Sequence, residues 1–381
     1  MPTASVPNSL TRSGPAYFFS RSIRDSFRDA LSEYQTAAKL EPKLMKYSTN
    51  RKDVGSVTTS VVPDGPPSLT GWALMGLIVC IASLCVVGLF WGTVRSMIDV
   101  WASSRTFEHG FLVLPATGYL IWSYRYRWMQ LVPAPSAWGV AALILLGSGW
   151  FVGYVTDVMW LQQAAVVAML PGLTWAILGK EIVKALAWPL GFLVFMLPVG
   201  TSIVPWLQDL TAWFIQVGLQ LINIPYHYEN YQIVISSGTW SVDPDCGGLR
   251  YLLPGLALGY AFATLVYQQR TRRLVFLALC AVVLMVANGI RAYGVIVGDH
   301  FGIAEGTDHR VFSYTIYGLT IPLLFWLGLR WAESLTVTSL QHRTMDVRGG
   351  LDARKSVLMA IAAVAVLAVA PLSVLLWFNR L

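Results

Sequence analysis

The sequence predicts an all-α polytopic membrane protein with about nine transmembrane helices, an interfacial helix and a small β-hairpin on its outer face. Hydrophobic residues make up 55% of the 381 residues, whereas charged residues make up only 12%. This apolar content greatly exceeds that of an ordinary soluble domain. The apolar residues are also gathered into runs of roughly 20 residues, the length that a helix needs to cross a bilayer.

Nine apolar runs are the candidate membrane-spanning helices, and the second and fifth are short. In chain order the runs are Gly71 to Phe90, Gly110 to Tyr124, Trp138 to Tyr154, Leu161 to Leu178, Ala185 to Val199, Leu249 to Tyr267, Leu274 to Val297, Val311 to Leu329 and Val357 to Phe378.

The basic residues behave as topology signals, so the net charge of +7 does not indicate a nucleic-acid partner. If the N-terminal tail is cytoplasmic and nine spans alternate, 21 of the 27 Lys and Arg residues fall on the inner side. Cytoplasmic loops of membrane proteins carry such an excess of Lys and Arg. We therefore expect the N-terminus inside the cell and the C-terminus outside.

The stretch from Val204 to Ile224 is apolar enough to be a tenth span, and a crossing there would place Cys246 in the cytoplasm. Two observations argue against a crossing. No Lys or Arg occurs between Ser202 and Cys246, and the stretch carries five polar residues, Gln208, Asp209, Gln216, Gln220 and Asn223. We interpret it as an amphipathic helix that lies in the outer interface.

The chain divides into four parts. Residues 1–70 are expected to form a cytoplasmic tail that is partly disordered, because the stretch from Ser56 to Pro67 is rich in Ser, Thr, Pro and Gly. We expect residues 71–331 to form the main transmembrane domain, residues 332–356 a cytoplasmic loop and residues 357–381 a C-terminal transmembrane helix. No cleavable signal peptide is expected, because the first long apolar run begins only near Gly71.

The outer segment after Ile224 changes to a strand pattern. Tyr231, Ile233 and Ile235 alternate with Gln232 and Val234. Ser236-Ser237-Gly238 then precedes a second short run, Thr239 to Val242, which predicts a hairpin. The hairpin leads to Cys246, close to the start of the helix at Leu249, where unpaired backbone N–H groups favour negative charge. The adjacent Gly247 and Gly248 allow another backbone to approach closely.

The four cysteines are not equivalent. Cys80, Cys85 and Cys280 lie inside apolar spans and are most simply packing residues. Cys246 alone lies outside the spans, so it has no partner for an intramolecular disulfide on the outer face. Both a reactive thiol and a structural cysteine are compatible with this position.

The seventh span contains Asn288 and Arg291, which are three residues apart and therefore share a helix face. An arginine at membrane depth is costly and marks a functional site unless it snorkels to the interface. The predicted topology puts both residues toward the outer end, on the side of Cys246.

A histidine opens the eighth span, in the sequence Gly306-Thr307-Asp308-His309-Arg310. Histidine is the usual proton carrier near neutral pH, so His309 is a candidate acid or base. Three other outer histidines compete with it, His109, His227 and His300, and any of them could be a plain surface residue.

These segments together resemble the exosortase/archaeosortase family. The resemblance rests on Cys-x-Gly-Leu-Arg-Tyr at a span entrance, Asn-x-x-Arg in the next span and a histidine opening the span after that. It extends over roughly Trp91 to Ala332 and includes the Glu108-His109-Gly110 feature and the hairpin before Cys246.

The resemblance implies a cysteine peptidase or transpeptidase that cleaves C-terminal sorting signals of the PEP-CTERM type on exported proteins. Cys246 would be the nucleophile, Arg291 the oxyanion or substrate stabiliser and His309 the acid/base. The implied location is a bacterial cytoplasmic membrane, with the catalytic face outside, and the acceptor nucleophile stays open.

Further residues would support the site. They are Asn288, Gly247, Gly248, His109, Arg250 and Asp245. The family pattern commonly reads Glu-Ala-Cys-Ser-Gly, whereas this chain reads Pro244-Asp245-Cys246-Gly247-Gly248, so the Glu is missing and Gly stands in place of Ser. The substrate subtype is therefore left open.

Two other classes remain as alternatives. In a transporter, Arg291 and the Gly- and Pro-broken spans would line a pathway, although inverted repeats are absent from the sequence and the polar residues cluster on one face. In an envelope or polysaccharide biogenesis factor without covalent catalysis, Cys246 would be replaceable. No cofactor or metal is implied, because the outer His and Asp residues lack ligand spacing such as His-x-x-x-His.

Overall fold

The computed structural model describes residues 69–302, 309–332 and 353–378. Within these ranges the protein is almost entirely helical, with one small sheet. The ten main helices are α1 Leu69–Leu89, α2 Trp91–Ser103, α3 Gly110–Ser123, α4 Ala137–Val155, α5 Met159–Leu178, α6 Val204–Leu221, α7 Leu249–Val266, α8 Arg270–His300, α9 His309–Arg330 and α10 Ala353–Phe378. Shorter helical turns are Arg125–Trp128, Lys180–Ala185, Ala187–Gly191, Phe192–Met196, Thr201–Ile203 and Pro244–Gly247.

Among the described residues, seven helices are long and apolar enough to cross a membrane: α1, α4, α5, α7, α8, α9 and α10. This confirms an all-α polytopic membrane protein, and the predicted count of nine spans is approximate. The predicted N-terminal tail and most of the loop at 332–356 lie outside the described residues.

Two of the nine predicted spans account for the difference in number. The run from Gly110 to Tyr124 forms α3, which has only 14 residues. The run from Ala185 to Val199 is broken into short helical turns, and together with α6 it forms a pair bent by 73° that is either one broken span or a re-entrant loop. With that pair counted as one span, the described residues contain eight.

The helices pack in two groups. In the first, α5 lies between α4, α1 and α10 and is the most buried of the candidate spans, with 67% of its apolar window inside the protein. Small residues let α4 and α5 approach closely. At Gly139 of α4, for example, a Cβ would lie only 2.4 Å from the backbone nitrogen of Ala176 in α5, so no side chain fits there. The second group consists of α6, α7, α8 and α9.

Three antiparallel strands cover one end of this second group. They are β1 His227–Glu229, β2 Gln232–Ile235 and β3 Gly238–Ser241, in the order β1-β2-β3. The predicted hairpin is confirmed as β2–β3, and β1 adds a strand that the sequence pattern did not indicate. Asn230 and Tyr231 both have positive φ, 49° and 62°, as a two-residue turn of the hairpin type requires.

The sheet is held against α6 and α8 by an apolar cluster. Ile233 is fully buried, and Ile235 and Val242 are nearly so. They pack with buried residues of the two helices, Ala212, Ile215, Leu219, Ala292 and Ile296. This packing fixes where the chain that follows β3 enters the bundle.

At the opposite end of α8, a buried arginine joins three helices. Arg273 is only 2% exposed and donates hydrogen bonds to the backbone carbonyl of Tyr267 and to the hydroxyl of Tyr124, the latter at 2.7 Å. The Tyr124 hydroxyl in turn donates to the carbonyl of Thr264. One paired guanidinium thus ties together the ends of α3 and α7 and the start of α8, which sets the register of α8 across the bundle.

Candidate active site

Cys246 lies in a tight turn between the sheet and α7. Its residues Pro244–Gly247 form a single 3-10 turn, in which the Cys246 N–H donates to the carbonyl of Asp243 at 2.7 Å. Gly248 then adopts a left-handed conformation with φ of 83°, and α7 begins at Leu249. The turn leaves the Cys246 side chain half-buried, with its thiol free.

Asn288 of α8 holds this turn in place. Its side-chain Nδ2 donates to the backbone carbonyl of Cys246 at 2.9 Å and to the hydroxyl of Thr211 at 3.1 Å. A Cβ on Gly248 would lie 2.5 Å from the Asn288 Cγ, so the close approach requires glycine at this position. A side chain at position 248 would therefore displace the Asn288 amide from its present position.

Arg291 lies one turn further along the same helix and is 7% exposed. Its Nε donates to the Oδ1 of Asn288 at 3.3 Å, and its Nη1 is 3.5 Å from the hydroxyl of Ser313 in α9. The guanidinium carbon also lies 5.8 Å from the centre of the Tyr251 ring. These partners are uncharged, so the positive charge is oriented by the protein but is not neutralised by them.

Cys246 and Arg291 line the same cavity, which has a volume of about 210 Å³ and which we call the thiol cavity. Apart from Ser241 of β3, the other walls are apolar side chains. They are Ile215, Trp240, Val242, Ala292, Val295 and Ile296. The cavity thus combines a thiol and a positive charge held in place by hydrogen bonds with mostly apolar walls.

Several residues that position this site were not singled out in the sequence. Tyr317 donates from its hydroxyl to the Oδ1 of Asn288 at 3.2 Å, and its ring stacks on that of Tyr251 at 3.9 Å. Ser313 and Tyr317 are four residues apart on α9, and this helical spacing of polar groups was an available signal.

The polar residues of α6 also support the site. Gln208 and Thr211 are buried, and the Gln208 Nε2 donates to the carbonyl of Val242 at 2.8 Å. In the sequence, Gln208 was evidence for a helix at the interface. In the structure its amide instead holds the chain that leads from β3 to Cys246.

Two predicted site residues have side chains outside the described part of the structure. His309 is the first residue of α9, and only its backbone placement is described. Asp245 lies in the turn immediately before Cys246. Arg250 belongs to the first turn of α7, where its Nη2 donates to the Tyr251 hydroxyl at 3.1 Å.

The other histidines do not line the thiol cavity. His109 is half-buried at the start of α3, where its Nδ1 is 3.2 Å from the carbonyl oxygen of Thr106. Burial lowers the pKa of His109 below its ordinary value of 6.5, and backbone hydrogen bonds and the nearby Glu108 offset this only in part. The His300 Nδ1 lies 3.1 Å from the hydroxyl of Ser237, and His227 is exposed beside Glu229.

None of the other three cysteines lines the thiol cavity. Cys280 is 1% exposed and packs against Gly259, as predicted for a packing residue. Cys80 and Cys85 instead lie on the exposed surface of α1, because a membrane helix can direct apolar residues to lipid as readily as to the interior. The described residues contain no group of three or more His, Cys, Asp or Glu side chains arranged to hold a metal ion.

Comparison with known proteins gives one match. A family model described as transmembrane exosortase (Exosortase_EpsH) matches residues 101–326, which is more than half of the chain. The matched segment runs from the end of α2 into α9 and includes the whole thiol cavity. No curated protein and no solved structure matches the chain.

Proposed function

Because the chain belongs to the transmembrane exosortase family, we propose that it is a cysteine peptidase or transpeptidase that cleaves C-terminal sorting signals of the PEP-CTERM type on exported proteins. The proposed location is a bacterial cytoplasmic membrane, with the N-terminus in the cytoplasm and the thiol cavity on the outer face. The proposed substrates are exported proteins whose C-terminus carries a short motif, a transmembrane helix and a basic tail.

One observation carries this proposal. The only cysteine outside the helical spans lines the same small cavity as a buried arginine whose described side-chain partners, Asn288 and Ser313, are uncharged. Covalent catalysis at a peptide carbonyl needs a nucleophile beside a fixed positive charge, because negative charge develops on the carbonyl oxygen in the transition state. The largely apolar walls strengthen this electrostatic stabilisation by excluding water.

In the proposed reaction, His309 accepts the proton of the Cys246 thiol, and the sulfur attacks the carbonyl carbon of the scissile peptide bond. Arg291 stabilises the oxygen that becomes negatively charged. The carbon–nitrogen bond then breaks, the leaving amine takes a proton from His309, and the N-terminal part of the substrate remains on Cys246 as a thioester. An acceptor amine or water then attacks the thioester and gives its proton to His309. The carbon–sulfur bond breaks, and His309 returns the proton to the Cys246 sulfur, which restores the thiol.

The assignment of His309 is supported by its position in the chain. It begins α9, and Ser313 follows one helical turn later. Ser313 contacts Arg291, and Tyr317, a further turn along, donates to Asn288. His309 is therefore on the helix that contacts both Asn288 and Arg291, and the other three histidines are not on that helix.

The supporting residues take different roles in this proposal. Asn288, Gly247 and Gly248 position the Cys246 turn, and Asp245 precedes the nucleophile where the family commonly has Ala. Arg250 contributes positive charge beside the site. His109 contributes to the fold of the turn before α3 through its bond to Thr106.

The test compares Cys246→Ser and Cys246→Ala with the wild-type protein in cells that export a protein with a PEP-like motif, helix and basic tail. We expect both variants to be inserted at normal abundance and to leave the substrate unprocessed. Cys80→Ser is the matched control, because Cys80 is exposed and distant from the cavity lining, and it should process normally. Unchanged processing by Cys246→Ala would contradict the proposal and favour a transporter or a biogenesis factor.

A further inference from the structure

A second cavity lies beside the thiol cavity, and we propose that it binds an acidic side chain of the substrate polypeptide. It has a volume of about 330 Å³ and is lined by Arg105, Glu108, Arg250, Tyr251 and Tyr314. We call it the basic cavity. The inference rests on the proposed function, because it assumes that a polypeptide is cleaved at Cys246.

One aromatic pair connects the two cavities. Tyr251 forms part of the basic cavity, and its ring stacks on that of Tyr317. The same ring lies 5.8 Å from the guanidinium carbon of Arg291, which lines the thiol cavity. A polypeptide that reaches Cys246 can therefore place a neighbouring side chain on the far side of Tyr251.

The two arginines of the basic cavity come from different elements. Arg105 belongs to the connection between α2 and α3, and Arg250 belongs to the first turn of α7. A guanidinium presents planar donors that match a carboxylate, and two of them can bind its two oxygens. Tyr251 orients one of them, because its hydroxyl accepts from the Arg250 Nη2 and its ring lies 4.9 Å from the Arg250 guanidinium carbon.

The charge of the cavity favours a ligand with a single negative charge. Two arginines and Glu108 give the lining a formal net charge of +1. Among the described residues, no carboxylate lies within salt-bridge distance of Arg105. Glu108 repels a dianion and reduces the attraction for any anion, so its removal should strengthen binding of an acidic side chain.

The distance along the chain limits which substrate residue can enter. Cys246 and Arg250 are four residues apart, so their Cα atoms are separated by at most about 15 Å. An extended polypeptide advances by roughly 3.3–3.6 Å per residue. The acidic residue should therefore lie within about four residues of the scissile bond.

The experiment is a double-mutant cycle on purified protein in vesicles of zwitterionic lipid. A substrate with one Glu near the scissile bond is compared with its Gln variant, using wild type and Arg105→Gln. We expect cleavage to slow about tenfold when only the enzyme carries Arg105→Gln, and also when only the substrate Glu is replaced by Gln. Combining the two changes should slow cleavage little further, because both remove the same interaction. Glu108→Gln should accelerate cleavage of the Glu substrate only.

Arg95→Gln is the matched control, because Arg95 is an exposed arginine on α2 that lies beside Asp99 and does not line the cavity. It should cleave both substrates at wild-type rates. A substrate with Lys in place of Glu should be cleaved poorly by wild type and better by Arg105→Glu.

Three results would overturn the inference. The first is an equal effect of Arg105→Gln on the Glu and Gln substrates. The second is an effect of Arg105→Gln that appears only when anionic lipid is added, which would assign the cavity to a lipid headgroup. The third is Cys246-dependent cleavage that does not respond to any of these charge changes. Cleavage that persists in Cys246→Ala would instead refute the proposed function.

Discussion

The side-chain amide of Asn288 donates a hydrogen bond to the backbone carbonyl of Cys246, at 2.9 Å and across 42 residues of sequence. The Oδ1 of the same amide accepts from Arg291 and Tyr317. One buried side chain thus fixes the separation between the thiol turn and the cation. This relationship makes Asn288 a positioning residue, whose substitution should affect both groups at once.

Asn288→Asp should keep the size of the side chain and lose the donor to Cys246. The Cys246 carbonyl would then face a carboxylate, and a buried group left unpaired costs about 1–3 kcal/mol. We expect cleavage to fall roughly tenfold or more, with an altered rate of Cys246 alkylation in the purified protein. Thr211→Val removes only the other acceptor of this amide and should have a smaller effect. Normal cleavage and alkylation in Asn288→Asp would refute the positioning role.

Gly248→Ala should destabilise the protein. The new Cβ would lie 2.5 Å from the Asn288 Cγ at a position with φ of 83°, and strain of this kind costs about 1–3 kcal/mol. The expected result is a lower thermal unfolding midpoint in detergent and a loss of processing. Gly247→Ala is the neighbouring control, because its nearest contacts would lie at an ordinary 3.4 Å. Equal midpoints for the two variants would contradict the coupling between Gly248 and Asn288.

Arg291→Lys should retain more activity than Arg291→Ala and less than wild type. Lysine keeps the charge, but it cannot contact Asn288 and Ser313 with the fixed geometry of a guanidinium. Arg291→Ala should lower the cleavage rate roughly a hundredfold or more, as expected for loss of an oxyanion-stabilising group. The measurement is the initial rate of substrate cleavage by each of the three proteins, normalised to the amount of folded protein. Equal rates in all three proteins would remove Arg291 from the site.

The pH dependence of stability should contain a contribution from His109. Burial lowers the pKa of folded His109 below 6.5, so between that lowered value and 6.5 the unfolded chain binds more protons than the folded protein. This contribution is complete above 6.5 and is lost as the pH falls toward the folded pKa. The thermal midpoint of wild type in detergent should therefore decrease relative to that of His109→Gln as the pH falls across this range. Parallel curves would contradict the assignment.

Cys246 should react with a membrane-impermeant thiol reagent added from the outer side. A variant with Cys80, Cys85 and Cys280 changed to Ser leaves one thiol, so any labelling reports on Cys246. Cells stripped of their outer barrier should be labelled without lysis, because the proposed topology puts the thiol cavity outside. Labelling that requires lysis would place the thiol cavity on the cytoplasmic side. The number of membrane crossings between α5 and Cys246 would then have to change by an odd number.

Much of the fold follows from local properties of the sequence. Runs of apolar residues identified the seven long spans, since a helix in lipid must satisfy its own backbone hydrogen bonds and present apolar side chains. Strict alternation identified the β2–β3 hairpin. The spacing of Asn288 and Arg291 placed them on one face of a helix, and their contact in the structure is consistent with that spacing.

Other features were decided by contacts between distant segments, and local patterns do not encode such contacts. Gln208 was evidence for an interfacial helix, yet it is buried and donates to the carbonyl of Val242, in the segment between β3 and Cys246. Thr211 on the same helix is also buried and accepts a hydrogen bond from Asn288 of α8. Arg273 stands beside Arg270 and Arg272 in a basic stretch of the sequence, yet its side chain is buried where three helices meet.

The sequence by itself determined the class of the protein, most of its spans and the residues that carry its proposed chemistry. The tertiary structure decided which of those residues meet. It brought Cys246 and Arg291 to one cavity, and it placed Arg105 and Arg250 in another beside it. The physical reason is that hydrophobic periodicity fixes the type and orientation of each helix, whereas the packing of small residues and buried hydrogen bonds fixes how the helices are combined.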